Sequence, residues 1–207
     1  MKGVTVIAHP LVQHNLARLR DKRTQSQEFR RLLGEIASLM LYEATRSFAV
    51  RSVSVHTPLA AAPGFRLERE VVLVPVLRAG LGMLDSILQL IPHARVGFIG
   101  LKREETTLRA QFYHQSLPAN LSRFEVILID PMLATGGSAV AALDLLAGQG
   151  AKLVRLVNLV AAPEGIRRVQ KNYPRVPIFT AAVDRRLNDR GYILPGLGDA
   201  GDRLFGT

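Results

Sequence analysis

The chain has 207 residues, 48% of them apolar, with no cysteine and a formal net charge of +10. That length suits a single domain spanning residues 1–207 with a sizeable core, and the lack of cysteine excludes disulfides and thiolate metal sites. MKGVTVIAHP lacks the apolar centre of a signal peptide, and no apolar run reaches the roughly 18 residues of a spanning helix. A soluble, cytoplasmic protein with no membrane partner is therefore expected. The excess positive charge is mostly scattered arginine, and its densest cluster, RLRDKR at 18–23, is expected on a solvated helix face or loop.

In chain order, a short apolar stretch (Val4 to Ile7) precedes a long predicted helix over 24–47. There Phe29, Leu32, Leu33, Ile36, Ala37, Met40 and Ala44 share one face. Ser52 to Leu59 is rich in β-branched residues and runs into a Pro/Gly-bearing turn at 58–64. Strand and helix then alternate. VVLVPV (71–76) reads as a buried strand, GLGMLDSILQL (80–90) as a helix and RVGFIGL (95–101) as a strand, followed by a charged, irregular segment to about 118. EVILID (125–130) is a strand, Ser138 to Ala147 a helix, and LVRLVNLVAA (153–162) a strand. PEGIRRVQKNY (163–173) is a helix opening on proline, and PIFTAAV (177–183) a last strand. Apolar strands alternating with short helices predict an α/β fold, a parallel sheet with helices on both faces. The glycine-rich tail, Gly191 to Gly206, is expected to fold back as a small flap.

Ligands of such sheets bind outside the carboxyl ends of the strands. The most informative of these places is the stretch VILIDPMLATGGSAVAALDLL, Val126 to Leu146. At a helix start the first amides lack intrahelical partners and the macrodipole is positive. Gly136 and Gly137 let a ligand approach the backbone, Thr135 and Ser138 add hydroxyls, and together they form a cradle for a phosphate. A side chain at Gly136 is expected to collide with that phosphate. Asp130 repels phosphate and instead accepts hydrogen bonds from neutral hydroxyls, such as a ribose diol beside a 5′-phosphate. The stretch fits a sugar phosphate.

Two other nucleotide motifs fail. No G-x-x-x-x-G-K-[ST] is present. Gly196-Leu-Gly198-Asp-Ala-Gly201 matches G-x-G-x-x-G, but only six residues follow it, too few for the helix of a dinucleotide-binding unit. The five histidines show no metal-ligand spacing, and His9 and His14 are expected at helix ends or on the surface.

DPMLATGGS at 130–138 resembles the phosphoribosyl-pyrophosphate (PRPP) motif of the type I phosphoribosyltransferases, with Pro131 in place of a second acid, as in uracil phosphoribosyltransferases. HPLVQHNLARLRDKRT, YEATR, PVLRAGLGMLD, LVAAPEGI and LNDRGYILPGLGDAGDRLFGT are similar to segments of the same family, so the resemblance covers nearly the whole chain. It implies transfer of the phosphoribosyl group of PRPP to N1 of uracil, giving UMP and pyrophosphate. PRPP contacts are implied for Arg78, Arg103, the run Asp130, Pro131, Met132, Leu133, Ala134, Thr135, Gly136, Gly137 and Ser138, and Asp199. Uracil contacts are implied for Ile193, Gly198, Asp199 and Ala200, with Asp199 also a candidate for removing the N1 proton. The resemblance further implies Mg²⁺ carried by PRPP, a homo-oligomer (dimer or tetramer), and, as in some relatives, GTP as an activator. The family pattern is broken at Ala110, Ser116 and Arg186. The competing readings are a purine phosphoribosyltransferase, and an RNA-binding regulator on the same fold, which the positive charge brings forward. GYILPGLGDAGDR argues against the first; the lack of a contiguous basic stripe argues against any nucleic-acid partner.

Overall fold

The structure is a computed structural model that describes residues 3–103 and 110–207, and the Arg103 and Ala110 side chains lie outside the described residues. The first half runs β1 (Val4–Val6), α1 (Pro10–Arg20), α2 (Ser26–Ala44), β2 (Val50–His56), β3 (Ala61–Leu67), β4 (Val71–Leu77), α3 (Leu81–Leu90), β5 (Arg95–Val96), β6 (Phe98–Arg103) and β7 (Ala110–Ser116). The second half runs β8 (Glu125–Ile129), β9 (Met132–Leu133), α4 (Gly137–Gly148), β10 (Leu153–Ala161), α5 (Pro163–Asn172), β11 (Ile178–Val183), β12 (Arg186–Leu187), β13 (Ile193–Leu194) and α6 (Ala200–Phe205).

The main sheet has the order β1-β11-β10-β8-β4-β6-β7, with β5 beside β4 and β9 beside β10. Its strands are parallel except β7, which returns antiparallel to β6. The central strands are apolar on both faces because both faces are covered. Leu73, Ile127 and Val157 point into a core shared with α1, α2 and α3. Val72, Val74, Val126 and Leu128 point to the opposite face, where Ala142, Leu146, Ile166 and Val169 of α4 and α5 meet them. From β4 the chain crosses to β6 on one side, then returns to place β8 on the other. A crevice opens at such a reversal, between the carboxyl ends of β4 and β8.

Three elements escaped the periodicity. Residues 10–20 form a helix, started by Pro10 and by His9, whose Nδ1 accepts the Leu11 N–H at 3.2 Å. The stretch 58–64, expected as a turn, holds only a tight turn closed by Thr57 and Ala60; from Ala61 the chain is already strand, pairing with β2 alone. Pro63 is tolerated there because the hairpin's outer edge has no ladder to interrupt. The segment expected to be irregular up to 118 contains β7.

The basic cluster at 18–23 is only partly a solvated face. Arg20 leaves the end of α1 to grip the buried Asp184 with both nitrogens at 2.8 Å, and its Nη1 also donates to the Gly196 carbonyl at 2.9 Å. Gly196 N–H donates to the same carboxylate at 2.8 Å. This clamp ties the tail to the end of β11. Asp184→Ala strands a guanidinium that is only partly exposed, so denaturant unfolding should show a loss of about 2–4 kcal/mol. An Arg20→Met/Asp184→Leu double variant should recover much of that loss; no recovery would mean the clamp contributes through something other than its charges.

Candidate functional site

Asp130 is the first residue beyond β8. Its N–H still donates to Val157 O at 3.1 Å, and its carbonyl accepts from the fully buried Asn158 Nδ2 at 2.6 Å. The chain then leaves the sheet, anchored by Pro131, whose carbonyl accepts Leu159 and Val160 N–H at 3.0 Å each. Gly136 reverses it at φ +75° and α4 begins. Thr135 Oγ1 sits beside the new helix, 3.4 Å from the Gly137 nitrogen that donates to it.

The Asp130 carboxyl is half-buried at the cavity wall, and loss of hydration pushes it up to about 7 from the ordinary 3.8; the Met132 N–H, donating at 3.3 Å, opposes that rise. Loss of hydration disfavours the charged form, and one long hydrogen bond is weak compensation. A carboxyl poised in this way gains from hydroxyl donors that favour its ionised form. Strongly shifted groups of this kind facing a cleft mark functional sites.

After β4, Arg78 and Ala79 turn through Gly80 into α3. Gly80 is tightly enclosed: a Cβ there would stand 2.7 Å from both Ile129 O and Val76 O. On the far side of the crevice, the tail folds around two turns at Gly196 (φ +63°) and Gly198 (φ +82°). Asp199 caps α6 by accepting the Asp202 N–H at 3.0 Å. Ile193, Leu197, Ala200 and Leu204 are buried, so this flap of polar composition shares the core under α2. Arg203 pins it, donating to Leu197 O at 3.0 Å and to Asp21 O at 2.7 Å.

Between these three segments lies a cavity of about 540 Å³. Of the residues expected from sequence, Arg78, Asp130, Met132, Ala134, Ser138, Ile193, Gly198, Asp199 and Ala200 stand on its wall. Pro131, Leu133 and Gly136 are buried and Thr135 and Gly137 half-buried, none of them on that wall. The Arg103 side chain lies outside the described residues.

One expectation needs correction. The missing side chain of Gly136 does not face a ligand: a Cβ there would stand 2.8 Å from the Gly165 carbonyl and 3.1 Å from Arg168 Cβ. Gly136 is glycine because its φ is positive and α5 is pressed against it. At Gly137 the nearest atoms are 3.5 Å away, ordinary contact. The sequence reading also missed Arg190 and Tyr192 on the cavity wall. Asn188 Oδ1 accepts both their N–H groups, at 3.0 and 2.9 Å, and the run Asn-Asp-Arg-Gly carries the composition of such a turn. Among the described residues, no cluster of three His, Cys, Asp or Glu side chains is arranged to hold a metal ion, and no helix is long and apolar enough to cross a membrane.

Comparison with known proteins agrees with this geometry. The profile of the family described as Uracil phosphoribosyltransferase matches residues 6–207. The uracil phosphoribosyltransferase of Dictyoglomus thermophilum is 55% identical over 205 residues, 99% of each chain, and that of Campylobacter curvus is 49% identical over 207 residues, all of both. Among solved structures, the AQ2163 protein of Aquifex aeolicus superposes with a TM-score of 0.94 at 40% identity, covering 99% of this chain and 98% of that one. The adenine phosphoribosyltransferase of Trypanosoma brucei, at 12% identity and a TM-score of 0.60 over 88% of this chain and 84% of that one, shares the fold alone. A family match over 202 of 207 residues, from 6 to 207, joined to these full-length likenesses, shows that this chain belongs to the uracil phosphoribosyltransferase family.

Proposed function

We propose that this chain transfers the phosphoribosyl group of PRPP to N1 of uracil, releasing pyrophosphate and giving UMP. The observation that carries the assignment is the shared cavity, which sets Asp130 and the start of α4 opposite the turn that holds Ile193, Gly198 and Ala200. A sugar phosphate needs the first wall; a small planar base needs the second.

The 5′-phosphate lies on the first amides of α4 and on Ser138, where N–H groups without intrahelical partners and the helix dipole both favour an anion. Asp130, ionised, accepts from the ribose hydroxyls. Arg78 and Arg103 take the diphosphate, for which the planar guanidinium is suited in shape and charge. Mg²⁺, carried by PRPP, would help to disperse the charge of the leaving group beside Arg78 and Arg103. Backbone groups of Ile193, Gly198 and Ala200 match the alternating donors and acceptors of the uracil edge.

In the reaction the C1′–O bond to diphosphate breaks and the N1–C1′ bond forms, while the N1 proton departs. Asp199, on the cavity wall, is the group this reading assigns to receive that proton. Positive charge grows on the ribose as negative charge leaves, so the rate gain comes from alignment and from fixed positive groups around the diphosphate. No covalent nucleophile is needed.

The test is to supply PRPP, Mg²⁺ and a panel of bases and to identify the nucleotide formed. UMP from uracil alone is the expected result. Turnover of hypoxanthine or adenine would overturn the assignment of the tail. Absence of any nucleotide, together with RNA binding that weakens steeply with salt, would favour a regulator on this fold.

A further inference from the structure

Arg78 belongs to the β4–α3 turn, yet its guanidinium rests on the last helix of the chain. Its Nη2 lies 3.5 Å from the Asp202 carboxylate, and its plane stands 5.8 Å from the centre of the Phe205 ring. The same Nη2 comes within 3.9 Å of the place a Cβ on Gly201 would occupy, so the arginine runs along the first turn of α6. Neither Asp202 nor Phe205 stands on the cavity wall, and both are absent from the contacts the family resemblance implies.

These holds add little to stability, because 58% of the Arg78 side chain and 53% of that of Asp202 are exposed. Their effect is on orientation. A free arginine carries about 2 kcal/mol of rotamer entropy that any diphosphate contact has to overcome. The Phe205 ring and the Asp202 carboxylate both hold the guanidinium against α6. Arg78 also stands on the cavity wall, and the planar fork of an arginine is suited to two phosphate oxygens. Asp202 is itself fixed: its N–H donates to Asp199, and its Oδ1 accepts the Thr207 hydroxyl at 3.2 Å.

We propose that Asp202 and Phe205 are positioning residues for Arg78, so that the helix closing the base-reading tail also sets the geometry of the diphosphate contact. The proposal rests on the reading of Arg78 as a diphosphate ligand. It also makes the two substrate sites share one support, because the turn that precedes α6 carries Gly198 and Asp199.

The test is calorimetric titration of the whole protein with Mg²⁺-pyrophosphate and, separately, with ribose 5-phosphate. Arg78→Ala should weaken pyrophosphate binding by about tenfold or more. Asp202→Asn and Phe205→Leu should each weaken it by about three- to tenfold, leave ribose 5-phosphate affinity and melting temperature unchanged, and add nothing in the Arg78→Ala background. Unchanged or tighter pyrophosphate binding in Asp202→Asn and Phe205→Leu, or an equal loss with and without Arg78, overturns the proposal. If Arg78→Ala itself binds pyrophosphate normally, the assignment of Arg78 falls, and this proposal with it.

Discussion

Asp130→Asn is expected to weaken binding of PRPP, or of ribose 5-phosphate as its nonreacting part, by about ten- to a hundredfold at pH 8. The change removes a charged acceptor from the ribose hydroxyls while keeping the shape of the side chain. The pH dependence is the sharper signature. With its carboxyl pushed up to about 7, Asp130 is largely protonated below neutrality in the free protein. Hydroxyl donors favour the ionised form, so affinity should rise as pH rises towards about 7 and level off above it. Asparagine has no such proton, and its titrations serve as the reference in which the phosphate's own ionisation cancels. An identical pH profile for the two proteins would take Asp130 out of the ribose role.

Stability should move in the opposite sense. The folded-state value lies above the ordinary 3.8, so the folded protein holds a proton that the unfolded chain releases between those two values. The stabilising effect of that proton is present at low pH and is lost as pH rises through about 7. Asp130→Asn should therefore be the more stable protein at pH 8, by about 1 kcal/mol or more, with the gap closing towards pH 4. A variant that folds better and binds worse fits a residue kept for its ligand.

Gly136→Val is expected to damage the fold before it damages chemistry. Valine is poorly accommodated at φ +75°, and the Cβ would stand 2.8 Å from a backbone carbonyl on α5 that has no side-chain freedom to move away. The loss should be about 3 kcal/mol or more, read as a fall in melting temperature of about 10 °C. Gly165→Ala attacks the same contact from the other side, where a Cβ would meet Ala134 O at 2.5 Å and Leu133 O at 2.9 Å. It should destabilise similarly. Gly137→Ala, with nothing nearer than 3.5 Å, should leave the melting temperature nearly unchanged, so any loss of phosphate affinity there reports on the cradle itself. Normal stability in Gly136→Val would contradict the packing described for α4 and α5.

Much of this architecture was readable in advance. The mostly apolar runs at 71–76, 125–129 and 153–161 show as strands because both faces of the sheet are covered by helices, and the helical spacing at 29–44 shows through without any tertiary context. Helix α1 was harder to see. Its face is carried by only three buried residues, Val12, Leu16 and Leu19, among exposed or half-buried ones that include Leu11 and Ala17. Strand β3 holds Ala, Pro and Gly, which carry no strand preference of their own; it exists because β2 pairs with it.

The sequence by itself determined the strand, aspartate, turn and helix of residues 126–146. Those features depend on near neighbours: which residues alternate, where glycine allows a reversal, where a helix start leaves amides free. Only the tertiary structure decided the rest. Arg20 meets Asp184 and Gly196 across 164 and 176 residues, Arg78 lies on Asp202, Gly136 faces α5 rather than the ligand, and Asp130 is desolvated enough to hold its proton near neutrality. Contact and desolvation depend on which distant segments come to rest against a group, and no local spacing carries that information.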